Sequence, residues 1–134
     1  MFKNILIPIE PKHFAESEKA MKVAGDLAKH YGGAITLMTL TPFIRTITRQ
    51  VPQDAVIADF KAFVEKQSQA LGLDLKAAFR VGDSVSEGIV ETAKEARADL
   101  IVMSSHDPVL SDYLFGSNAS SVVLHTEASV LVVR

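Results

Sequence analysis

The sequence predicts an α/β domain built on one parallel sheet. Short runs of β-branched residues and leucine recur along the chain, as in strands that are buried on both faces of a parallel sheet. Between them lie segments with apolar residues at three- and four-residue spacing, which predict amphipathic helices. This alternation indicates right-handed βαβ crossovers, so we predict a doubly wound, five-stranded, Rossmann-like fold with helices on both faces.

The chain begins with a predicted strand and helix. Ile5–Ile9 is a nearly continuous apolar run, and Pro8 argues that this first strand is short. Ala15–Tyr31 has helical periodicity and is ended by Gly32-Gly33. The residues expected on its inner face are Ala20, Val23, Ala24, Leu27, Ala28 and Tyr31.

A second strand and helix follow. Ala34–Leu40 repeats the buried-strand pattern, and Thr41-Pro42 ends it. Residues 43–52 fit a frayed helix, a short edge segment or a flap, and we assign them no structure. Helical periodicity returns in Ala55–Leu71, after which Gly72 provides a C-cap.

The second half of the chain adds three strands and two helices. Leu75–Val81 is a more polar third strand, and Ser84-Val85-Ser86-Glu87 is a capping box that begins the third helix. Asp99–Ser104 is the fourth strand. Ser117–Thr126 predicts a short fourth helix, and Ser129–Val133 the fifth strand.

Composition favours one small domain, residues 1–134, without covalent staples. The chain has no cysteine, which excludes disulfides, thiolate metal sites and a cysteine nucleophile, and we expect a cytoplasmic protein. Its 14 basic and 16 acidic residues are well mixed and give a formal charge of −2. Neither a nucleic-acid partner nor a membrane partner is therefore expected.

A ligand crevice is expected between the first and fourth strands. In a doubly wound sheet of order 3-2-1-4-5, the strand order reverses there, and ligands bind outside the carboxyl ends of the strands. The strand ends would bring together Pro8, Ile9, Glu10, Leu40, Met103, Ser104 and His106. Gly116-Ser117-Asn118 begins the fourth helix, where free amides and the helix dipole favour an anion. A tight turn and ordinary N-caps would explain these three residues as well.

Three motifs resemble the universal stress protein family. Ile5–Glu10 matches an Ile-Leu-Val-Pro-Val-Asp type strand, Gly82-Asp83-Ser84 a Gly-Asp-Pro type turn, and Ser129–Val133 a Pro-Val-Leu-Val-Val type strand. The resemblance covers essentially the whole chain. It implies a fold like that of the adenine nucleotide alpha hydrolases.

The loop after the fourth strand departs from the family's nucleotide-binding motif, Gly-x2-Gly-x9-Gly-[Ser/Thr]. Ser104 and Asp107 stand at the first two glycines, and the loop before Gly116 is one residue shorter. The string Ser-His-x-Pro, followed by Tyr-Leu-x-Gly-Ser-Asn-Ala, nevertheless resembles a short-loop subgroup that is regarded as ATP-binding. Nucleotide binding is therefore compatible with this loop.

The resemblance implies ATP, ADP or AMP as the ligand, with Mg²⁺. It assigns the adenine and ribose to Pro8, Ile9, Glu10, Leu40 and Met103. It assigns the phosphates to Ser104, His106, Gly116, Ser117 and Asn118. Glu10 stands where the family usually has an aspartate that contacts ribose or a bridging ion, so it is the candidate for contact through Mg²⁺.

We therefore expect a cytoplasmic, ATP-binding regulatory protein of the stress response with an unidentified protein partner. The alternative is a dimeric module that binds no nucleotide and acts by protein–protein interaction, which Ser104 and Asp107 favour. No Walker P-loop, nucleophile elbow or catalytic triad is present, so at most slow ATP hydrolysis or self-phosphorylation is expected. The family commonly dimerises through its last strand, here Val130, Leu131, Val132 and Val133.

Overall fold

Strands and helices alternate along the chain as predicted. The structure, a computed structural model, describes residues 1–10, 14–41, 53–104 and 119–134. Its elements are β1 Asn4–Pro8, a 3-10 helix Phe14–Ser17, α1 Glu18–Tyr31, β2 Ala34–Thr41, α2 Gln53–Leu71, β3 Leu75–Val81, α3 Val85–Glu95, β4 Leu100–Ser104, α4 at residues 119–125 and β5 Ser129–Val133. The unassigned segment 43–52 lies outside the described residues.

The five strands form one parallel sheet in the order β3-β2-β1-β4-β5. The predicted strand order and direction are confirmed. β1 lies at the centre of the sheet, with β2 and β3 on one side and β4 and β5 on the other. The direction of winding therefore reverses between β1 and β4, as required for a ligand crevice at their carboxyl ends.

Side chains of β1 alternate between two apolar cores. Ile5 and Ile7 belong to the core formed with α1 and α2, whereas Leu6 belongs to the core formed with α3 and α4. All three side chains are fully buried, and the burial of each stabilises the fold by about 1.5 to 3 kcal/mol. Helices therefore cover both faces of the sheet, as predicted.

The buried face of α1 is made of small residues. The alanines predicted to face inward are buried, namely Ala20, Ala24 and Ala28. Met21 and Gly25 are buried as well, whereas Val23 and Leu27 are only half-buried. A Cβ atom at Gly25 would lie 3.1 Å from Cδ2 of Leu71. Leu71 of α2 therefore packs against Gly25. The buried face of α1 includes Met21 and Gly25, two positions that its helical periodicity did not indicate.

The helix ends follow the predicted chemistry. Gly32 ends α1 in the left-handed conformation, with φ 66° and ψ 36°, and its N–H donates to the Ala28 carbonyl. At the start of α3, Oγ of Ser84 accepts a hydrogen bond of 3.3 Å from the N–H of Glu87. The glycine C-cap and the N-cap bond of the predicted capping box are therefore present.

α2 is the longest of the described helices, with 19 residues. Phe60 and Val64 are buried, while Lys61 and Glu65 are exposed, so the helix is amphipathic. Across the described ranges, no helix is both long and apolar enough to cross a membrane.

Candidate functional site

β1 and β4 separate toward their carboxyl ends. In the described part of the sheet, they pair only at Ile5–Leu100 and Leu6–Ile101, whereas β4 stays paired with β5 to its last residue. The N–H of Ile9 donates to the Met38 carbonyl of β2 at 2.8 Å. Backbone groups alternate between the two neighbours of a strand, so Pro8 faces β4, where it has no N–H to donate. Proline therefore leaves the strands open at the predicted switch point.

The three residues proposed as apolar walls lie on one face of the sheet. Met103 is 7% exposed and belongs to the core formed with α3 and α4. Leu40 packs against the same core and is half-buried. Pro8, also half-buried, follows Ile7 and points to this face by strand alternation. The fold thus brings Pro8, Leu40 and Met103 to the same face of the same sheet edge.

Ile9 points to the opposite face and fixes the end of β1. Its side chain is 5% exposed and belongs to the core beneath α1 and α2. Besides the N–H bond to Met38, its carbonyl accepts a hydrogen bond of 2.8 Å from Oγ1 of the buried Thr39. Both backbone polar groups of Ile9 therefore have partners, and they hold the exposed Glu10 at the edge of the sheet.

Two buried hydroxyl groups lie at this edge without a hydrogen-bond partner among the described residues. They are Oγ of Ser104, at the end of β4, and Oγ1 of Thr41, at the end of β2. A buried hydroxyl without a partner costs about 1 to 3 kcal/mol. The two strands flank β1, so their backbones are about 10 Å apart. By strand alternation both hydroxyls point to the face opposite Leu40 and Met103, so a ligand would satisfy them only where it spans the edge of the sheet. The residues present fit a nucleotide that reaches across this edge.

Thr41 was not predicted as a site residue. From the sequence alone, Thr41-Pro42 marks only the end of the second strand. A polar residue at the carboxyl end of a strand next to the switch point is the signal that would have identified it, because ligands bind at that edge.

Much of the predicted phosphate site falls outside the described residues. This applies to His106, Gly116, Ser117 and Asn118, and also to Asp107. Of the predicted phosphate contacts, Ser104 lies within the described part, at the carboxyl end of β4. The assignments of these residues to the phosphates remain predictions from the sequence.

The described residues contain no group of three or more histidine, aspartate or glutamate side chains that could hold a metal ion. Glu10 remains the predicted contact for Mg²⁺. A single carboxylate suits that role, since Mg²⁺ keeps several waters and is held by one or two carboxylates together with substrate phosphates.

A polar clamp fixes α3 beside Leu40. Arg80, which is the register partner of Leu40 on β3, donates to Glu95 at 2.9 Å and to Glu91 at 3.0 Å. It also donates to Oγ1 of Thr92 at 3.2 Å. The hydrogen bond from Arg80 lowers the pKa of the Glu95 carboxyl, and the same bond raises the pKa of Arg80. The clamp ties the third helix to the edge strand.

Comparisons with known proteins agree with this architecture. The sequence model of the universal stress protein family matches residues 1–134. Universal stress protein G of Escherichia coli O157:H7 is 32% identical over 148 residues, with 100% of both chains covered.

Two solved structures share the fold. One is a universal stress protein in complex with cAMP, with a TM-score of 0.72 and 20% identity, covering 99% of this chain and 97% of that one. The other is the universal stress protein from Archaeoglobus fulgidus in complex with dAMP, with a TM-score of 0.73 and 20% identity, covering 99% and 98%. The predicted fold class is confirmed by these likenesses. From the match of the family model and the identity to the curated relative, this chain belongs to the universal stress protein family.

Proposed function

We propose that this chain binds an adenine nucleotide, ATP in the first instance, in the crevice between β1 and β4. The observation that carries the proposal is the pair of buried hydroxyls, Thr41 Oγ1 and Ser104 Oγ, at the open edge of the sheet. Related proteins in complex with cAMP and dAMP support an adenine nucleotide as the ligand class.

The base and ribose are assigned to Pro8, Ile9, Glu10, Leu40 and Met103. Micromolar affinity requires about 8 kcal/mol, whereas a helix terminus offers an anion about 0.3 to 2 kcal/mol. The apolar walls formed by Leu40 and Met103 must therefore supply much of the binding energy. Ile9 contributes by fixing the backbone before Glu10, since its own polar groups are already bonded.

The phosphates are assigned to Ser104, His106, Gly116, Ser117 and Asn118, and Glu10 would hold a Mg²⁺ ion that would neutralise part of the phosphate charge. We assign no catalytic residue. In this proposal the protein is a cytoplasmic regulator of the stress response, and nucleotide occupancy acts through the loop from Ser105 to Phe115, which lies outside the described residues. That loop would then present a different surface to a protein partner with and without nucleotide.

The test is to incubate the purified protein with millimolar Mg-ATP, remove free ligand, and identify the retained nucleotide by mass spectrometry. Isothermal titration calorimetry gives the affinity. Gly116→Val is expected to abolish retention and to leave the circular dichroism spectrum unchanged. A wild-type protein that stays empty at millimolar ATP would favour the alternative, a module that binds no nucleotide and acts through protein contacts.

We also propose a homodimer formed through Val130, Leu131, Val132 and Val133 of β5. The sheet has two edge strands, and their composition differs. β3 carries Lys76 and Arg80, and charged side chains on an edge strand oppose pairing with a second chain. β5 has no charged residue between Ser129 and Val133, and its Val132 is 39% exposed. An uncharged apolar edge of this kind favours strand pairing with a second copy.

A further inference from the structure

Gly88 of α3 leaves a slot that the Leu40 side chain occupies. A Cβ atom built on Gly88 would overlap Leu40 Cδ1 and would lie 3.7 Å from its Cγ. The same Cδ1 is 3.9 Å from the position of a Cβ atom on Gly82, which is an ordinary contact distance. Leu40 is therefore close to two glycines, and an added side chain would overlap it only at Gly88 of α3.

α3 is held firmly on this side of the sheet. Arg80 bonds Glu91 and Glu95 from the strand next to Leu40. Gly88 itself is tied into the helix, because its N–H donates to the Ser84 carbonyl at 3.1 Å and its carbonyl accepts from Thr92 Oγ1 at 2.7 Å. An added side chain at position 88 would therefore displace the end of the Leu40 side chain in preference to the helix.

Arg80 on the neighbouring strand limits where the displaced side chain can move. Leu40 is half-buried at the carboxyl edge, on the same face as Pro8 and Met103. α3 closes the slot, and Cδ of Arg80, on the β3 side of Leu40, lies 4.0 Å from the same Cβ position on Gly88. The side toward β1 faces the crevice. Moving Leu40 out of the slot would therefore narrow the space assigned to the nucleotide base.

We propose that Gly88 is a positioning residue for the nucleotide site: by leaving room for Leu40 beneath α3, it sets the width of the base pocket. This inference rests on the proposed nucleotide function. Gly88 touches no ligand group in this account and acts only through the position of Leu40.

A double-mutant cycle tests the inference, with Mg-ATP as the probe in isothermal titration calorimetry. Gly88→Ala is expected to weaken ATP binding about tenfold. A tenfold loss of affinity corresponds to about 1.4 kcal/mol, which lies within the range of penalties for overpacking. Leu40→Ala alone should lower the affinity for ATP, because it removes one apolar side of the base pocket. Gly88→Ala combined with Leu40→Ala should bind as Leu40→Ala does, because the methyl group then has no side chain to displace.

Gly82→Ala is the matched control. It adds the same methyl group at ordinary contact distance, 3.9 Å, from the same Leu40 atom, and should change the ATP affinity less than about twofold. A methyl NMR spectrum should show the Leu40 resonances shifted by Gly88→Ala before ATP is added, a change that a general loss of stability would not produce.

Three results would overturn the inference while leaving the proposed function intact: unchanged affinity in Gly88→Ala, equal losses in Gly88→Ala and Gly82→Ala, or additive effects in the cycle. Absence of ATP binding by the wild-type protein would instead remove the proposed function, and the inference with it. If Gly88→Ala does not fold alone, the double variant is compared with Leu40→Ala. A double variant that folds and binds ATP as Leu40→Ala does then supports the inference, because it shows that the added methyl group acts through Leu40. A double variant that fails to fold, or that binds more weakly than Leu40→Ala, contradicts it.

Discussion

Thr41→Val removes a buried hydroxyl while nearly preserving the shape of the side chain. Because Thr41 Oγ1 has no partner among the described residues, its removal should stabilise the ligand-free protein by about 1 to 2 kcal/mol. For a domain of this length, the melting temperature should rise by roughly 3 °C for each kcal/mol. Binding should change in the opposite direction. Loss of one hydrogen bond to the ligand is worth about 1 kcal/mol, or about a fivefold weaker affinity for ATP.

Thr39→Val is the matched control for this experiment. Thr39 lies on the same strand and is fully buried, whereas Thr41 is half-buried, and the Thr39 hydroxyl donates to the Ile9 carbonyl at 2.8 Å. Its removal should therefore destabilise the ligand-free protein by about 0.5 to 1.5 kcal/mol. Differential scanning calorimetry without ligand and titration with Mg-ATP measure both quantities. The reasoning is refuted if Thr41→Val lowers the melting temperature as Thr39→Val does, or if its ATP affinity equals that of the wild type.

The remaining predictions concern the dimer, a helix cap and the clamp. Val132→Lys should convert the proposed dimer to a monomer, as measured by light scattering, because a charge on β5 opposes strand pairing. Ala77→Lys, on the exposed part of β3, should leave the dimer intact. A dimer that persists in Val132→Lys would contradict pairing through β5. Ser84→Ala should lower the free energy of unfolding by about 1 kcal/mol in a denaturant titration, because it removes the N-cap of α3; an unchanged midpoint would mean that the cap contributes nothing. Arg80 lowers the pKa of Glu95, so the wild type should have a higher free energy of unfolding than Glu95→Gln at neutral pH. This difference should disappear as the pH falls through the lowered pKa. A difference that persists in acid would exclude the ion pair as its cause.

The fold could be predicted because its determinants are local. Leu75–Val81 and Ser129–Val133 have the predicted bounds as strands, since the first lies between Gly72 and Gly82 and the second is a short apolar run. Gly32 and the capping box at Ser84 mark helix ends through backbone conformation and one short hydrogen bond. Such signals act within a few residues and do not depend on the rest of the chain.

Features set by tertiary packing could not be predicted. Leu71 of α2 packs against Gly25 of α1, and no periodicity within α1 contains that information. In the site, the pattern identified Ile9 but did not indicate that its polar groups are already bonded by neighbouring strands. Thr41 could have been identified from its place at the carboxyl end of β2, but the missing partner of its hydroxyl among the described residues is seen only in the structure.

Pro8 has a kinetic consequence. The gap between β1 and β4 follows from a covalent property of this residue, its lack of an N–H, so no ligand is needed to create it. A ligand can therefore enter without breaking any pairing between strands. No part of the binding free energy is lost in opening the sheet. Association should therefore proceed without a slow opening step, and residence time, set by dissociation, should account for differences in affinity among variants of this site.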